Sequence, residues 1–339
     1  MSRATVSAVI PAHNAMPDVL EAVDSVLAQD LPVDEVVVVN DRSSDGTGEA
    51  VGARFGDRVR VLAGAYGSAA AARNAGWRAA RGAWIAFLDA DDLWTPDKNR
   101  VSLGLLAAAP HADWCFSDGT VRALDGREFD SLLERWVDLQ DPYCGRPVAE
   151  LIEVNFILTS SVLARRSALE ALGGFDESLS HAEDVDLWIR LSRGGWAVGT
   201  HRPLVRYRAR ETGLSAQADK RNAGAATLFA RMASDPTLEE GLRRLARRRV
   251  SRHHYRLALA ALREGEPGRA RAHLARSWMW PDFTTPVLLA MATSFLPRGL
   301  QQRLRGRRSV GAVAGSLKAP RRVRLAGFEP PPGAGGATP

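Results

Sequence analysis

The sequence predicts an α/β fold in which a mostly parallel sheet is flanked by helices and followed by a small α-helical C-terminal region. Short apolar runs alternate with segments of helical periodicity through the first hundred residues. The run at residues 35–39 has almost no polar face, as expected of a strand that helices cover on both sides. Polar residues directly follow several of these runs, at the strand ends where open α/β sheets bind ligands.

Each predicted element follows from its residue pattern. Pro11 and Gly82 mark turns at the ends of strands, and Val19, Val23 and Val26 recur on one helical face. We expect strands at residues 5–10, 35–39, 59–62 and 84–88, and helices over 19–27 and 68–80. This alternation predicts parallel strands joined by right-handed crossovers.

The region after residue 110 is less regular. Two more strand-like runs occupy residues 114–117 and 156–163. Residues 122–150 between them are either an insertion over the site, where a second substrate would dock, or a plain surface loop.

The chain is organised around the strand at residues 84–88, which runs into Asp89, Asp91 and Asp92. Asp89 and Asp91 are two residues apart, so on an extended backbone their side chains point to the same side. Two such carboxylates repel each other and are costly to bury, and a hard divalent cation would relieve both problems. The alternative is a solvated acidic turn. The buried-looking strand before the acids favours the metal site.

A second acidic pair opens a later helical segment. Ser180 and Glu183 match the S-x-x-E capping box, which predicts that Glu183 reaches back to the Ser180 backbone amide. Asp184 is not needed for that cap and lies in the first helical turn, where the helix dipole favours an ionised carboxylate. Asp184 therefore either compensates the dipole or takes part in chemistry.

Composition sets few limits on function. The chain has 339 residues, enough for one large domain or two. Its two cysteines give neither a disulfide framework nor a metal-binding spacing, which favours a reducing compartment. The first residues have no apolar segment of a secretory signal, and no run reaches the roughly 18 apolar residues of a membrane span.

The net charge of +6 is unevenly distributed. From Arg298 onward the chain has nine Lys or Arg and one acid, more positive charge than the whole chain carries, so the remainder is slightly acidic. The high pI thus belongs to the tail and does not describe the body of the protein; we expect no nucleic-acid partner. The C-terminal third predicts a helical region over residues 216–300, with a helical hairpin at a Gly-Glu-Pro-Gly turn, and a disordered Gly- and Pro-rich tail over 301–339.

An apolar segment precedes this basic tail. Residues 287–297 are too short to span a membrane, and the basic residues follow at once. One interpretation is a cytoplasmic protein that contacts the inner, anionic face of a membrane at its periphery. The other is a core helix followed by a solvated tail.

With these residues in place, the chain resembles the family 2 glycosyltransferases of the GT-A fold, which have a Rossmann-like, mostly parallel sheet. Five stretches match in order and cover roughly residues 5–215, the expected catalytic domain 1–215: residues 9–14, 40–47, 72–76, 87–92 and 173–176 leading into 183–184. No glycine-rich phosphate loop is present, which fits a mononucleotide held by side chains and a metal.

The resemblance implies roles for individual donor-binding residues. Pro11, Ala12 and His13 would line the nucleoside pocket. Asp41 would accept a hydrogen bond from a base ring N–H, which suits uracil or thymine, although guanine also offers such donors. Arg73 would face the phosphates or the base of the nucleotide.

The resemblance also implies the catalytic set. Asp89 would contact the ribose, Asp91 would bind Mg²⁺ or Mn²⁺, and Asp184 would be the general base. Two positions depart from the family pattern. Asn40 stands where a second acid is common, and Arg210 stands where a histidine is common. Arg210 could serve the diphosphate but not hold a metal.

The implied reaction is inverting transfer of a sugar from a nucleoside-diphosphate sugar, with a UDP-sugar as the expected donor. The acceptor would be a saccharide or lipid-linked hydroxyl in bacterial cell-surface polysaccharide or glycolipid synthesis. Two alternatives stay open: a catalytically inactive sugar-nucleotide-binding protein and a metal-dependent nucleotide-sugar hydrolase.

Overall fold

The computed structural model describes residues 4–122, 126–131, 133–138, 140–209 and 217–277, with short pieces at 290–292, 294–295 and 323–324. The strands are β1 (Val6–Ala12), β2 (Glu35–Asp41), β3 (Arg60–Gly64), β4 (Trp84–Phe87), β5 (Leu93–Trp94), β6 (Ala112–Arg122), β7 (Glu128–Phe129), β8 (Val137–Asp138), β9 (Tyr143–Gly145), β10 (Leu163–Arg165), β11 (Trp196–Arg208) and β12 (Val323–Arg324). The helices are α1 (Asp18–Leu27), α2 (Thr47–Phe55), α3 (Ala69–Ala79), α4 (Lys98–Ala108), α5 (Leu133–Trp136), α6 (Val148–Glu153), α7 (Arg166–Leu172), α8 (Glu183–Gly194), α9 (Ala218–Ser234), α10 (Glu240–Glu264) and α11 (Pro267–Ser277).

The central sheet has the strand order β3-β2-β1-β4-β10-β6-β11-β5. The first four strands of this order are parallel, as the sequence predicts. β10 then pairs antiparallel with both β4 and β6, whereas β6 and β11 are parallel to each other. The carboxyl ends of β1, β2 and β4 therefore lie at one edge, and this edge positions the polar loops predicted to bind ligand.

Both faces of the sheet are covered by helices. Alternate residues of β1 point into different cores: Ala8 and Ile10 pack with α1 and α2, and Val9 packs with α3 and α8. A side chain at Gly76 of α3 would approach Val9 to 2.3 Å, so the absence of one lets α3 lie directly on the sheet.

An aromatic cluster fixes α8 on the second face. Trp188 of α8 stacks on Trp114 with ring centroids 5.9 Å apart, and Phe175 meets Phe87 edge to face at 5.2 Å. These fully or nearly fully buried rings anchor the start of α8, which carries Glu183 and Asp184, beneath the end of β4.

One sequence expectation needs correction in the middle of the chain. The run at residues 156–163 is not one strand: only Leu163–Arg165 pairs in the sheet, after a 3-10 turn at Thr159–Ser161. The apolar side chains there are buried as loop residues, a pattern that periodicity alone cannot distinguish from a strand. Within 122–150, the described residues form the short elements β7, α5, β8, β9 and α6.

The helical C-terminal region begins with α9, as expected. Leu228, Phe229 and Met232 of α9 and Ala246 of α10 belong to the same core as the sheet, so these helices pack on the catalytic part. α10 and α11 form the predicted hairpin around Gly265, whose φ of +81° suits glycine. The expected tail over 301–339 and the apolar segment at 287–297 lie almost entirely outside the described residues. None of the described helices is long and apolar enough to cross a membrane.

Candidate active site

The acids that follow β4 lie in a tight turn. β4 ends at Phe87, and the Asp92 amide donates to the Asp89 carbonyl oxygen at 3.0 Å. The expectation that Asp89 and Asp91 share one side of an extended strand is therefore wrong in its geometry, because the chain has already turned. The two carboxylates are nevertheless neighbours, since the charge of Asp89 acts on Asp91.

Asp92 holds this turn in place from inside the protein. The Ser160 hydroxyl donates to its Oδ2 at 2.5 Å, and the Arg208 amide donates to its Oδ1 at 3.2 Å. Burial, and then the charges of Asp89 and Asp91, raise the pKa of Asp92 well above its ordinary value. The Arg208 side chain also fixes this turn. Its Nε–H donates to the Asp91 carbonyl oxygen, and its Nη1 pairs with Glu21 at 2.6 Å.

Arg73 of α3 links the two acidic pairs. Its Nη2 donates to Asp89 Oδ1 at 2.7 Å and its Nη1 donates to Glu183 Oε1 at 3.0 Å. The guanidinium is buried and lies 5.4 Å from the centroid of the Phe175 ring. Burial opposes its charge, but Asp89 and Glu183 together outweigh this and raise the pKa of Arg73. Arg73 therefore stays charged and fixes the β4 loop against α8.

Asn74 brings the same two regions together through the backbone. Its Nδ2 donates to the Phe175 carbonyl oxygen and its Oδ1 accepts from the Phe175 amide, both at 2.9 Å. Residues 72–76 and 173–176, two of the stretches that carry the family resemblance, are thus adjacent in the fold. This contact sets the path of the chain into α8.

The capping box predicted at the start of α8 does not form. Ala182, in the left-handed region at φ 71°, is the N-cap, and no side chain caps the helix. Glu183 is instead turned inward to Arg73. The physical reason is that α8 begins at Glu183 itself, so this residue is not three positions after the N-cap, and its carboxylate lies within reach of the buried Arg73 guanidinium.

Asp184 is half-buried beside this ion pair. Its Oδ2 accepts from Asn155 Nδ2 at 3.1 Å, and its Oδ1 accepts from the Val185 amide at 2.8 Å. Burial, followed by the charge of Glu183, raises the pKa of Asp184 above its ordinary value. Asp184 is thus a partly accessible carboxylate in the first turn of α8 whose neutral form is favoured by its surroundings.

Asp41, at the end of β2, is held in a fixed orientation. The Tyr66 amide donates to its Oδ1 and the Gly67 amide donates to its Oδ2, each at 2.8 Å. Gly67 has φ +81°, a backbone conformation that glycine adopts readily. Arg42 Nε also donates to Oδ1 at 3.3 Å, so the second lone pair of Oδ2 is the one with which Asp41 can accept a hydrogen bond from a ligand.

The loop after β1 lies beside Asp41. His13 is exposed and its Nδ1 is 2.5 Å from the Asp41 carbonyl oxygen, which can only accept, so Nδ1 carries the proton. Pro11 is half-buried, whereas the Ala12 side chain is buried in the sheet core. Ala12 can therefore line a ligand pocket through its backbone but not through its methyl group.

The residues present fit a hard cation that takes few protein ligands. Burial, and then the charge of Asp89, raise the pKa of Asp91 to about 6, so an ionised Asp91 is costly unless a positive charge approaches it. Within the ranges described, no three His, Cys, Asp or Glu side chains converge as a metal cage. A cation at Asp91 would complete its coordination with substrate and water oxygens, as Mg²⁺ commonly does.

Sequence reasoning missed several members of this site. No recognisable motif marks the loops and strand ends that carry Ser160, Arg208 and Asn155. The sequence pattern at Glu183 predicts a helix cap and not an ion pair with Arg73. The doubled acids at 183 and 184 and the polar run at residues 159–161 were the only local signals for them. Arg210, considered from the sequence, lies outside the described residues.

Comparison with known proteins identifies relatives. The family model described as Glycosyl transferase family 2 matches residues 7–173. An uncharacterized glycosyltransferase, RP339 of Rickettsia prowazekii, is 29% identical over 214 residues, which cover 60% of this chain and 63% of that protein. The succinoglycan biosynthesis protein ExoO of Rhizobium meliloti is 36% identical over 188 residues, 54% of each chain. The chain thus matches less than two thirds of the length of either relative.

Solved structures show the same architecture. S. aureus TarS 1-349 in complex with UDP-GlcNAc has a TM-score of 0.63 at 15% identity, with 89% of this chain and 92% of that chain covered. The mannosyltransferase PcManGT of Pyrobaculum calidifontis, in complex with GDP-Man and Mn²⁺, has a TM-score of 0.55 at 22% identity and covers 92% of this chain and 85% of that chain. These likenesses confirm the predicted GT-A type fold.

Proposed function

Because the chain belongs to glycosyl transferase family 2, we propose that it moves a sugar from a UDP-sugar to an acceptor hydroxyl with inversion. We place this reaction in bacterial cell-surface polysaccharide or glycolipid synthesis, the setting that the names of relatives such as ExoO support. The observation that carries the proposal is the position of Arg73. It joins Asp89, on the donor side, to the α8 acids on the acceptor side.

In this mechanism the donor nucleotide lies across the carboxyl ends of β1, β2 and β4. Asp41 accepts from the ring N–H of uracil, and the backbone amides of Tyr66 and Gly67 keep its carboxylate aimed. Pro11 to His13 border the nucleoside. Asp89 contacts the ribose, and the hydrogen bond from Arg73 fixes the orientation of the Asp89 carboxylate. Asp91, with Asp89 beside it, would hold Mg²⁺ or Mn²⁺, which supplies positive charge to offset that of the departing diphosphate.

The acceptor side of the reaction belongs to Asp184. Its carboxylate takes the proton of the acceptor hydroxyl as that oxygen forms a bond to the anomeric carbon. The bond from the anomeric carbon to the diphosphate oxygen breaks with its electron pair leaving on the diphosphate. One displacement of this kind inverts the anomeric centre. Asn155 orients Asp184 through its hydrogen bond to Oδ2.

The test is release of nucleoside diphosphate from a panel of UDP-, dTDP-, GDP-, ADP- and CDP-sugars, with and without metal and acceptor. Acceptor-dependent release from the UDP-sugar supports the proposal. Adenine and cytosine have no ring N–H to offer Asp41, so ADP- and CDP-sugars serve as negative controls. Equal release without acceptor would indicate a hydrolase, and binding without release would indicate an inactive sugar-nucleotide-binding protein.

We expect Glu183→Gln to move the acidic limb of the kcat profile to lower pH. The base loses its charge, and activity falls, as the pH drops through the raised pKa of Asp184. The Glu183 carboxylate contributes to that raised pKa, so removing its charge lowers the pKa and preserves the base in more acidic solution. The measurement is kcat across mildly acidic to neutral pH at saturating substrates.

Glu170→Gln is the control for this profile. Glu170 is an exposed carboxylate that pairs with Arg166 at 3.0 Å, away from the α8 acids. Its profile should coincide with that of the unaltered enzyme. An unchanged or alkaline-shifted limb in Glu183→Gln would contradict the assignment of Asp184 as the titrating base.

We further propose the domain limits 1–215, 216–300 and 301–339, with contact between the C-terminal segment and an anionic membrane face. Each Lys or Arg near such a surface adds about 1 kcal/mol. In flotation with phosphatidylglycerol vesicles, we expect the full chain to bind and a chain ending at residue 297 to bind much less. Phosphatidylcholine vesicles are the control. Equal, weak flotation of both chains on the anionic vesicles would count against the proposal.

A further inference from the structure

Four arginines form a compact group on the C-terminal helices. Arg249, Arg252 and Arg256 are three and four residues apart in α10 and therefore share one helix face. Arg221 of α9 lies near enough for its charge to act on Arg256. We call Arg221, Arg249, Arg252 and Arg256 the basic cluster.

The basic cluster has too little negative charge around it. Among the described residues, Glu153 at the end of α6 is the acid whose charge favours the charged forms of Arg249 and Arg252. The Nε atoms of both arginines are buried without a hydrogen-bond partner among the described residues. Burial, and then repulsion from Arg252 and Arg256, lower the pKa of Arg249 to about 9.

The basic cluster is also open to solvent. Arg221 and Arg256 are exposed, while Arg249 packs its guanidinium over the Phe229 ring, 5.3 Å from the centroid. Guanidinium groups that are partly buried and repel one another lower the stability of the fold. We therefore look for an anionic partner of the basic cluster outside the described residues. A multiply charged anion that approaches the exposed Arg221 and Arg256 would offset the repulsion within the basic cluster.

Helix α6 lies between the basic cluster on α10 and the proposed base, Asp184, on α8. α6 packs against both α10 and α8. Glu153 ends α6, and Asn155, two residues later, donates to Asp184 at 3.1 Å. One short segment thus carries both the acid whose charge acts on Arg249 and Arg252 and the amide that donates to Asp184.

Helix α9 also packs close to the segment that carries Asp184. Gly224 lies so close to His181 that an added Cβ would approach the His181 carbonyl oxygen to 2.5 Å. His181 is buried, three residues before Asp184, and neither ring nitrogen has a hydrogen-bond partner in the described part of the chain. Burial, and then the charges of Lys220 and Arg221, lower the pKa of His181, so Arg221 of the basic cluster lies close enough to act on this side chain.

We propose that the basic cluster binds a phosphate or diphosphate group on the acceptor substrate and thereby brings the acceptor hydroxyl to Asp184. Guanidinium groups match the oxygens of phosphate with paired hydrogen bonds, and several of them suit a diphosphate better than a single carboxylate. The donor diphosphate has a separate place at Asp89 and Asp91. The inference rests on the proposed function, since it names the acceptor chemistry of the same enzyme.

Inorganic pyrophosphate is the probe for the site. We would titrate it by calorimetry into the full chain, with chelator and without donor, so that no metal-dependent binding contributes. The double variant R252Q/R256Q should bind pyrophosphate at least about tenfold more weakly, because each lost charge-assisted hydrogen bond is worth about a factor of ten or more. Pyrophosphate should also raise the Tm of the unaltered chain but not that of the variant.

The matched control is R244Q/R269Q, which removes the same charge from exposed positions outside the cluster. It should bind pyrophosphate like the unaltered chain. Because R252Q/R256Q removes repelling charges, its Tm without ligand should be equal or higher. If it does not fold, the single variant R256Q at an exposed position replaces it. Equal pyrophosphate affinity in the cluster variant and the control would overturn the proposal.

Two further readouts separate this inference from the proposed function. UDP affinity and donor hydrolysis without acceptor should be unchanged in R252Q/R256Q, while KM for a phosphorylated acceptor rises. A parallel loss of UDP affinity would place the cluster at the donor and overturn the inference, with the proposed transfer reaction intact.

Competition against pyrophosphate distinguishes the sources of the anion. Stronger competition by decyl phosphate than by glucose 1-phosphate, which carries the same monophosphate group, would indicate a lipid-linked acceptor, and the reverse order would indicate a phosphorylated saccharide. Failure of both to compete would contradict the proposal. If R252Q/R256Q loses binding to phosphatidylglycerol vesicles but keeps pyrophosphate binding, the cluster contacts a membrane surface instead, and the proposal is wrong.

Discussion

Replacing Asp184 with asparagine should lower kcat by about 10²–10⁴-fold, the range expected for loss of a general base. The amide keeps the size of the side chain and can still pair with Asn155 but cannot take a proton. Affinity for the donor nucleotide should change little, because the donor residues lie at the ends of β2 and β4. The measurement is kcat together with the Kd of UDP.

Stability provides the control for this variant. Since the pKa of Asp184 is raised by burial and by Glu183, its ionised form is held at a cost to the folded state at neutral pH. Asp184→Asn should therefore have an equal or higher Tm. Full activity in Asp184→Asn, together with an inactive but folded Glu183→Gln, would move the base to Glu183.

Replacing Asp91 with alanine should lower kcat/KM by roughly 10²-fold or more and weaken metal-dependent binding of the sugar nucleotide. The reason is the loss of the carboxylate that we propose to hold a divalent cation. The fold should survive, since the buried carboxylate that secures this turn is Asp92, through Ser160 and the Arg208 amide. Calorimetry with Mn²⁺ and then with chelator is the measurement.

With chelator, the unaltered enzyme and Asp91→Ala should bind the nucleotide equally weakly. Asp30→Ala is the matched control, because Asp30 is an exposed carboxylate that pairs with Arg100 at 2.7 Å. If chelator leaves the nucleotide affinity of the unaltered enzyme unchanged, the metal role of Asp91 is wrong.

The sequence by itself determined the catalytic half of the fold. The all-apolar run in β2 predicted a strand covered by helices on both faces, with Asp41 at its carboxyl end. The same reasoning placed Asp89 and Asp91 beyond β4. These inferences succeeded because side-chain periodicity reports burial directly and strand ends fix the position of the next residues.

The structure alone decided how the acids are connected. Glu183 fits a local capping pattern, yet its partner is Arg73, 110 residues earlier in the chain. Ser160 reaches Asp92 across 68 residues, and Arg208 reaches the Asp91 carbonyl across 117. The basic cluster likewise becomes visible only when α6 and α9 pack against α10. Local patterns record short-range preferences, whereas a buried charge is satisfied by whichever opposite group the packed fold brings to it, and only the tertiary structure determines that group.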